Sequence, residues 1–176
     1  GSSLTGAVFE IRASGDIVRP DGSIAALDGE TVATVTTDET GEARADNLPL
    51  GSGTARYEVV ETQAPAGFLL DQTTHIVDLT YADQKTPVVE ARLNVSDDYT
   101  KVDISKVDAS GEQEVEGAQL TLYGPDKTEI DSWTSSDKPH RVEHLAPGTY
   151  SLREMISPRT YDLAEEITFE IKDTGE

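Results

Sequence analysis

The chain has 176 residues, 34 acidic against 14 basic, for a net charge of −20. That balance argues against nucleic acid or anionic lipid as a partner, since both are held by Lys and Arg neutralising phosphate. Charged residues make up 27% and apolar ones 36%, which fits one large or two small folded domains rather than disorder, and the absence of cysteine excludes disulfide staples and thiolate metal sites.

The opening "GSS" reads as a tag remnant, so the chain is expected to be an excised piece of something longer. It shows no signal peptide and no apolar run long enough to cross a bilayer, so no membrane contact is expected of this piece. Short alternating stretches then follow one another: "GAVFEIRA", "ETVATVTT", "RYEVVET", "THIVDLTY" and "TPVVEARLNV", then "KVDISKVD", "AQLTLYG", "EIDSWTS", "HRVEHL", "GTYSLRE" and "EEITFEI". All are rich in Val, Ile, Thr or aromatics, and turn signals such as "RPDGS", "DETGE", "LPLGSG", "YGPDK" and "LAPGT" separate them. A long insert, "SGDIVRPDGSIAALDGE", falls between the first two stretches. Short strands at this spacing predict an all-β antiparallel sandwich or barrel.

The chain repeats itself. Gly6-Ala7 opens a strand, as Gly117-Ala118 does, and "LPLG" at 48–51 parallels "LAPG" at 145–148. "YEVVETQAPAGFLL" matches "YSLREMISPRTYDL" in register: Tyr57, Glu61, Pro65, Phe68 and Leu70 correspond to Tyr150, Glu154, Pro158, Tyr161 and Leu163. Two homologous domains are expected, 1–98 and 99–176, each small for a lone core.

In "KVDISKVD", the two-residue period of a strand puts Val102, Ile104 and Lys106 on one face and Lys101 and Asp103 on the other, so an apolar stripe ends in an amine. The bland reading of Lys106 is a side chain that lays its stem on apolar surface and its head in water. Tyr57 with Glu61, and Tyr150 with Glu154, share parity, so each glutamate faces the same way as a residue expected to be buried. Near the end of the first domain, Val89, Ala91, Leu93 and Val95 form a stripe that Asp97 continues, whereas Asn94 has the opposite parity.

These motifs resemble the Cna B-type, or SpaA-like (prealbumin-like), domains of Gram-positive surface adhesins and pilins. The likeness is carried by "ISKVD", "EGAQLTLYG" and "EMISPRTY" in the second domain and by "TGAVFEI" and "ETQAPAGF" in the first. It implies two tandem immunoglobulin-like, transthyretin-like antiparallel β-sandwiches. It also implies a spontaneous amide between a first-strand lysine and a last-strand Asp or Asn, promoted by a glutamate. On that pattern Lys106 is the candidate nucleophile, Glu61 and Glu154 the proton shuttles and Asp97 the acceptor. A lysine attacks only as the neutral amine, and burial disfavours the charged forms of amine and carboxyl alike. The first domain has no lysine before Lys85, and the second ends at "EITFEIKDTGE" with Asp173 as its stand-in acceptor. Each domain is therefore expected to lack a terminal strand, to form no internal amide alone and to accept a complementing strand from another chain.

His140 and His144 lie four apart in a predicted strand rather than a helix, and "SDD" and "DASGE" read as turns, so neither metal nor cofactor is expected. Trp133 reads as core, with a sugar platform as the alternative. The expected role is an extracellular, cell-wall-anchored stalk module whose partners are neighbouring domains of the same protein. The alternative is an adhesin contacting host protein or glycan through the insert. Conventional enzymatic turnover is not expected; at most the chain would perform single-turnover amide formation on itself.

Overall fold

In the computed structural model, described here for residues 3–81, 90–108, 110–155 and 166–172, the chain divides into two compact units. One is Gly1–Ala66 with Leu70–Asp98, the other Gly67–Leu69 with Tyr99–Glu176. Among the described residues there is no helix, and the paired strands are antiparallel. The architecture is all-β, as the alternating pattern predicts.

The first unit contains β1 (Val8–Ala13), β2 (Ile17–Val18), β3 (Ile24–Ala26), β4 (Thr31–Thr36), β5 (Thr54–Gln63) and β6 (His75–Thr80). Four of them form a sheet in the order β4-β1-β5-β6, and β2 pairs with β3 as a hairpin. Alternation decides what is inside: Ala7, Phe9, Ile11 and Ala13 are buried, while Val8, Glu10 and Arg12 are half-buried. The long insert is not a free loop. Its hairpin turns at Arg19–Ser23, with Gly22 at φ 82° and Asp21 Oδ1 accepting from the Ser23 amide and hydroxyl. Ile17 and Ala26 then join the core with Ile11, Ala13, Ala55, Tyr57 and Leu79.

The stripe expected to run through Leu93 to Asp97 forms no ladder. Val89 lies outside the described residues, Leu93 is exposed, and 90–98 carries no strand assignment. Alternation reports which way side chains face. A strand also needs a neighbour for its backbone N–H and C=O groups, and the described residues supply none here.

The second unit contains β7 (Lys101–Ile104), β8 (Gln119–Tyr123), β9 (Glu129–Thr134), β10 (His140–Glu143), β11 (Gly148–Met155) and β12 (Glu166–Ile171). A sheet in the order β12-β11-β8-β9 faces the pair β10-β7. Leu122, Val142, Leu145, Tyr150 and Ile171 fill the space between, with Val102, Ile104, Trp133, Leu152 and Phe169 around them. The predicted "KVDISKVD" strand stops at Ile104; beyond it Val107 makes one bridge to Glu114.

The two large sheets repeat one topology, β4-β1-β5-β6 matching β9-β8-β11-β12. The Gly-Ala openings show why those residues recur. Gly6 and Gly117 take φ 94° and 87°, the region where a side chain is strained. The Ala7 amide donates to Thr37 Oγ1 and the Ala118 amide to Ser135 Oγ, both at 2.9 Å. Each hydroxyl in turn donates at 2.6 Å to a backbone carbonyl, that of Leu4 or Val115. The repeated tyrosines behave alike too: Tyr57 donates to the Pro49 carbonyl and Tyr150 to the Ala146 carbonyl, the second residues of "LPLG" and "LAPG". Pro158, Tyr161 and Leu163 lie outside the described residues.

Candidate functional site

The sheet registers place the two repeated glutamates equivalently. Glu61 on β5 stands opposite Phe9 of β1, and Glu154 on β11 opposite Leu120 of β8. Phe9 and Leu120 are each the third residue after the repeated glycine. In the first unit the register slips between Val8 and Phe9, so a bulge in β5 adjoins Glu61. Bulges re-aim a side chain, and this one leaves Glu61 3% exposed.

Around Glu61 the polar groups come from two other segments. The Asp71 amide donates to Glu61 Oε2 at 2.6 Å. Asp97 is the neighbouring carboxyl, close enough to hydrogen-bond to Glu61 when one of the two holds a proton. Glu61 Oε1 and Asp97 Oδ1 are both shielded from solvent, and neither has a donor among the described residues. Burial pushes the Glu61 carboxyl up to about 7, and the charges of Asp97 and Asp71 push the same way. Burial also raises Asp97, again with help from the Asp71 charge. Two neighbouring buried carboxyls, each with one oxygen that has no donor among the described residues, are favourable when they share one proton. Asn94, the acceptor of opposite parity, is exposed. Lys85 lies outside the described residues, and the lysines described are all in the second unit.

In the second unit Lys106 Nζ donates to Glu154 Oε2 at 2.8 Å. The two side chains are 29% and 20% exposed. The amine is thus half-buried within an ion pair at the edge of the sandwich, not sealed in a dry core. A small cavity beside it is lined by Ser105, Leu120, Leu152 and Ile167. Asp173 lies outside the described residues. The structure therefore brings Lys106 to Glu154 and Glu61 to Asp97, as two separate pairs.

Sequence reasoning missed Asp71 and His75. Asp71 Oδ2 lies 2.5 Å from His75 Nε2, and Asp71 Oδ1 accepts from the Thr73 amide at 2.9 Å. The legible signal was an Asp-x-Thr turn just past the repeat, followed by a histidine at the mouth of β6. Trp133 stacks on His140 at 4.1 Å and packs against the second core, so its ring is engaged within the unit. No group of three or more metal-ligating side chains is present among the described residues.

No curated protein matches the chain in sequence. Solved structures do. The Bacillus anthracis TIE protein is 28% identical with a TM-score of 0.52, over 99% of this chain and 30% of that one. A C-terminal fragment of the pilus adhesin SpaC from Lactobacillus rhamnosus GG is 18% identical with a TM-score of 0.52, over 99% of this chain and 77% of that one. The chain thus spans less than a third of the length of the first of these. The model of the SpaA prealbumin-like fold domain matches twice, at residues 1–93 and 100–176. With two matched segments carrying one duplicated topology and one duplicated glutamate register, the chain belongs to the SpaA prealbumin-like fold family.

Proposed function

We propose that the chain is a stalk-like structural module of a Gram-positive surface protein, of pilin or pilus-adhesin type. In this reading it is displayed outside the cell and anchored to the wall through its parent protein. Each domain is stabilised by a Lys–Asp or Lys–Asn amide once its partner strand is in place. One observation carries the reading: the same repeated glutamate meets a carboxyl in the first unit, Asp97, and an amine in the second, Lys106. Family membership and the pilus-adhesin likeness supply the context.

The chemistry is a condensation. In the first unit, protonated Glu61 polarises the Asp97 carboxyl, and a neutral lysine amine from a flanking strand attacks its Cγ. A C–N bond forms, a C–O bond breaks, and the departing oxygen leaves as water, taking one proton from the amine and the one the carboxyl pair shared, both through Glu61, which ends ionised. In the second unit Lys106 passes a proton to Glu154 and attacks an Asp or Asn side chain delivered to the adjoining cavity, releasing water or ammonia. Preorganisation replaces an external enzyme, the reaction turns over once, and it needs no cofactor.

A synthetic peptide copying residues 101–108, the lysine strand of the homologous unit, serves as amine donor for the first unit. Intact-mass spectrometry is expected to find an adduct of chain plus peptide less one water, mapped to Asp97 and lost in Asp97→Ala and Glu61→Ala. Absence of any adduct overturns the reading of the first unit. A second reading, contact with host glycan or matrix protein, is favoured by Val18, Ile24 and Leu27, which are exposed on or beside the β2–β3 hairpin. Binding that disappears when all three become Ser would support it.

A further inference from the structure

The carboxyl pair of the first unit has a support that the condensation chemistry does not call for. Asp71 faces Glu61 with its backbone and His75 with its side chain. Its amide reaches Glu61 Oε2 at 2.6 Å, and its carboxylate meets His75 Nε2 at 2.5 Å. The Thr73 amide holds the other carboxylate oxygen at 2.9 Å. His75 is fixed in turn by β6, where it pairs with Val59 of β5, two residues before Glu61. Glu61 is almost wholly buried, and its second oxygen has no donor among the described residues. The lone N–H from Asp71 is therefore a large share of what the protein offers that carboxyl.

We infer that Asp71 and His75 are positioning residues that set when Glu61 holds its proton, and so the pH range in which the first unit can form its amide. The inference rests on the proposed role of Glu61, but its test does not.

The physics has two opposed parts. The Asp71 amide donates to Glu61 and favours the ionised form. The Asp71 carboxylate, kept charged chiefly by its hydrogen bond with His75, repels a second negative charge and favours the protonated form. His75 serves both: it anchors the turn that aims the amide, and when protonated it offsets the Asp71 charge felt at Asp97. Among the described residues, Asp97 and Asp71 are the titratable groups that face Glu61, with His75 behind Asp71, while β1 presents the uncharged Phe9. Changing the carboxylate and changing the histidine should therefore move Glu61 in opposite directions.

The experiment is a carboxyl-carbon NMR titration of Glu61 in the whole chain, with Asp71→Asn, His75→Ala and His75→Gln beside the wild type. Asp71→Asn keeps the amide and the turn but removes the charge, and is expected to bring the Glu61 midpoint down from about 7. His75→Ala lets the turn loosen and is expected to move it up. His75→Gln restores a donor to Asp71 and is expected to return the midpoint towards the wild-type value. Unchanged midpoints in Asp71→Asn and His75→Ala, or a shift of one sign in both, overturn the inference. Because the titration reads Glu61 itself, it decides the matter whether or not any amide forms. Adduct formation with the lysine peptide then reports the chemistry separately, and its pH optimum should follow the Glu61 midpoint through the three variants.

Discussion

Tyr57 and Glu61 show how a single β-strand can carry both a structural and a chemical residue. Both face inward from β5, four positions apart. Tyr57 keeps its hydroxyl satisfied by reaching back to the Pro49 carbonyl, so its burial costs little. Glu61 has one bonded oxygen and one orphan, and it buys no such satisfaction. Its raised titration point has a consequence for stability. A carboxyl whose folded-state value lies above its unfolded one, 4.5 rising to about 7, stabilises the fold below the unfolded value. That contribution is lost as pH rises through the folded value. The first unit should therefore weaken between about pH 4.5 and pH 7. Glu61→Gln keeps the shape and removes the charge. It is expected to be more stable than the wild type above pH 7 by about 3 kcal/mol, with no advantage near pH 4. Thermal unfolding across that range checks it, and a constant difference at every pH would refute it.

Among the elements, the β2–β3 hairpin departs furthest from its sequence appearance. Its stretch is rich in Gly, Asp and Ser and reads as a loop, yet Ile17 and Ala26 are buried against β1 and β5 residues. The Ser52 amide also donates to the Val18 carbonyl at 2.9 Å, tying the hairpin to the chain beside β5. Ile17→Ala is expected to cost about 2–4 kcal/mol, whereas Ile24→Ala, on the exposed side, should cost under about 0.5 kcal/mol. Denaturant unfolding of the two variants separates a core hairpin from a surface loop. Equal, small losses would show that the hairpin does not close the core. The opposite surprise is the segment 90–98, which has a strand's alternation without a strand's partner. It leaves Val95 and Asp97 half-buried and Asn94 exposed, but Ala91 and Leu93, on the same expected stripe as Asp97, are exposed too.

At the scale of the whole molecule, a chain of net charge −20 without cysteine holds two small cores. Self-repulsion of like charge opposes the compact state, and salt screens it within about 10 Å at 0.1 M. Melting temperature should therefore rise as sodium chloride is raised from about 10 mM to 300 mM, where the screening length falls well below that value. A flat or falling response would mean that local pairs such as Arg56–Asp78 and Arg141–Asp103 outweigh the net field. Where disulfides are excluded, a covalent amide would do comparable work. In the proposed stalk role it would constrain the unfolded chain, by about 2–4 kcal/mol if a disulfide is the guide.

Much of this was legible without a structure. The strand alternation, the doubled Gly-Ala openings, the repeated Tyr57 and Tyr150 and the inward parity of Glu61 and Glu154 are properties of residues a few positions apart. A two-residue period and a fixed repeat spacing are enough to define them. Tertiary packing alone decided that the insert closes a core and that Lys106 sits in an ion pair at the sandwich edge. It alone brought Asp97, 36 residues downstream, to Glu61, with Asp71 and His75 behind. Periodicity specifies which way a side chain points. Which groups it meets depends on turns and registers that bring distant segments together, and no local pattern encodes those distances.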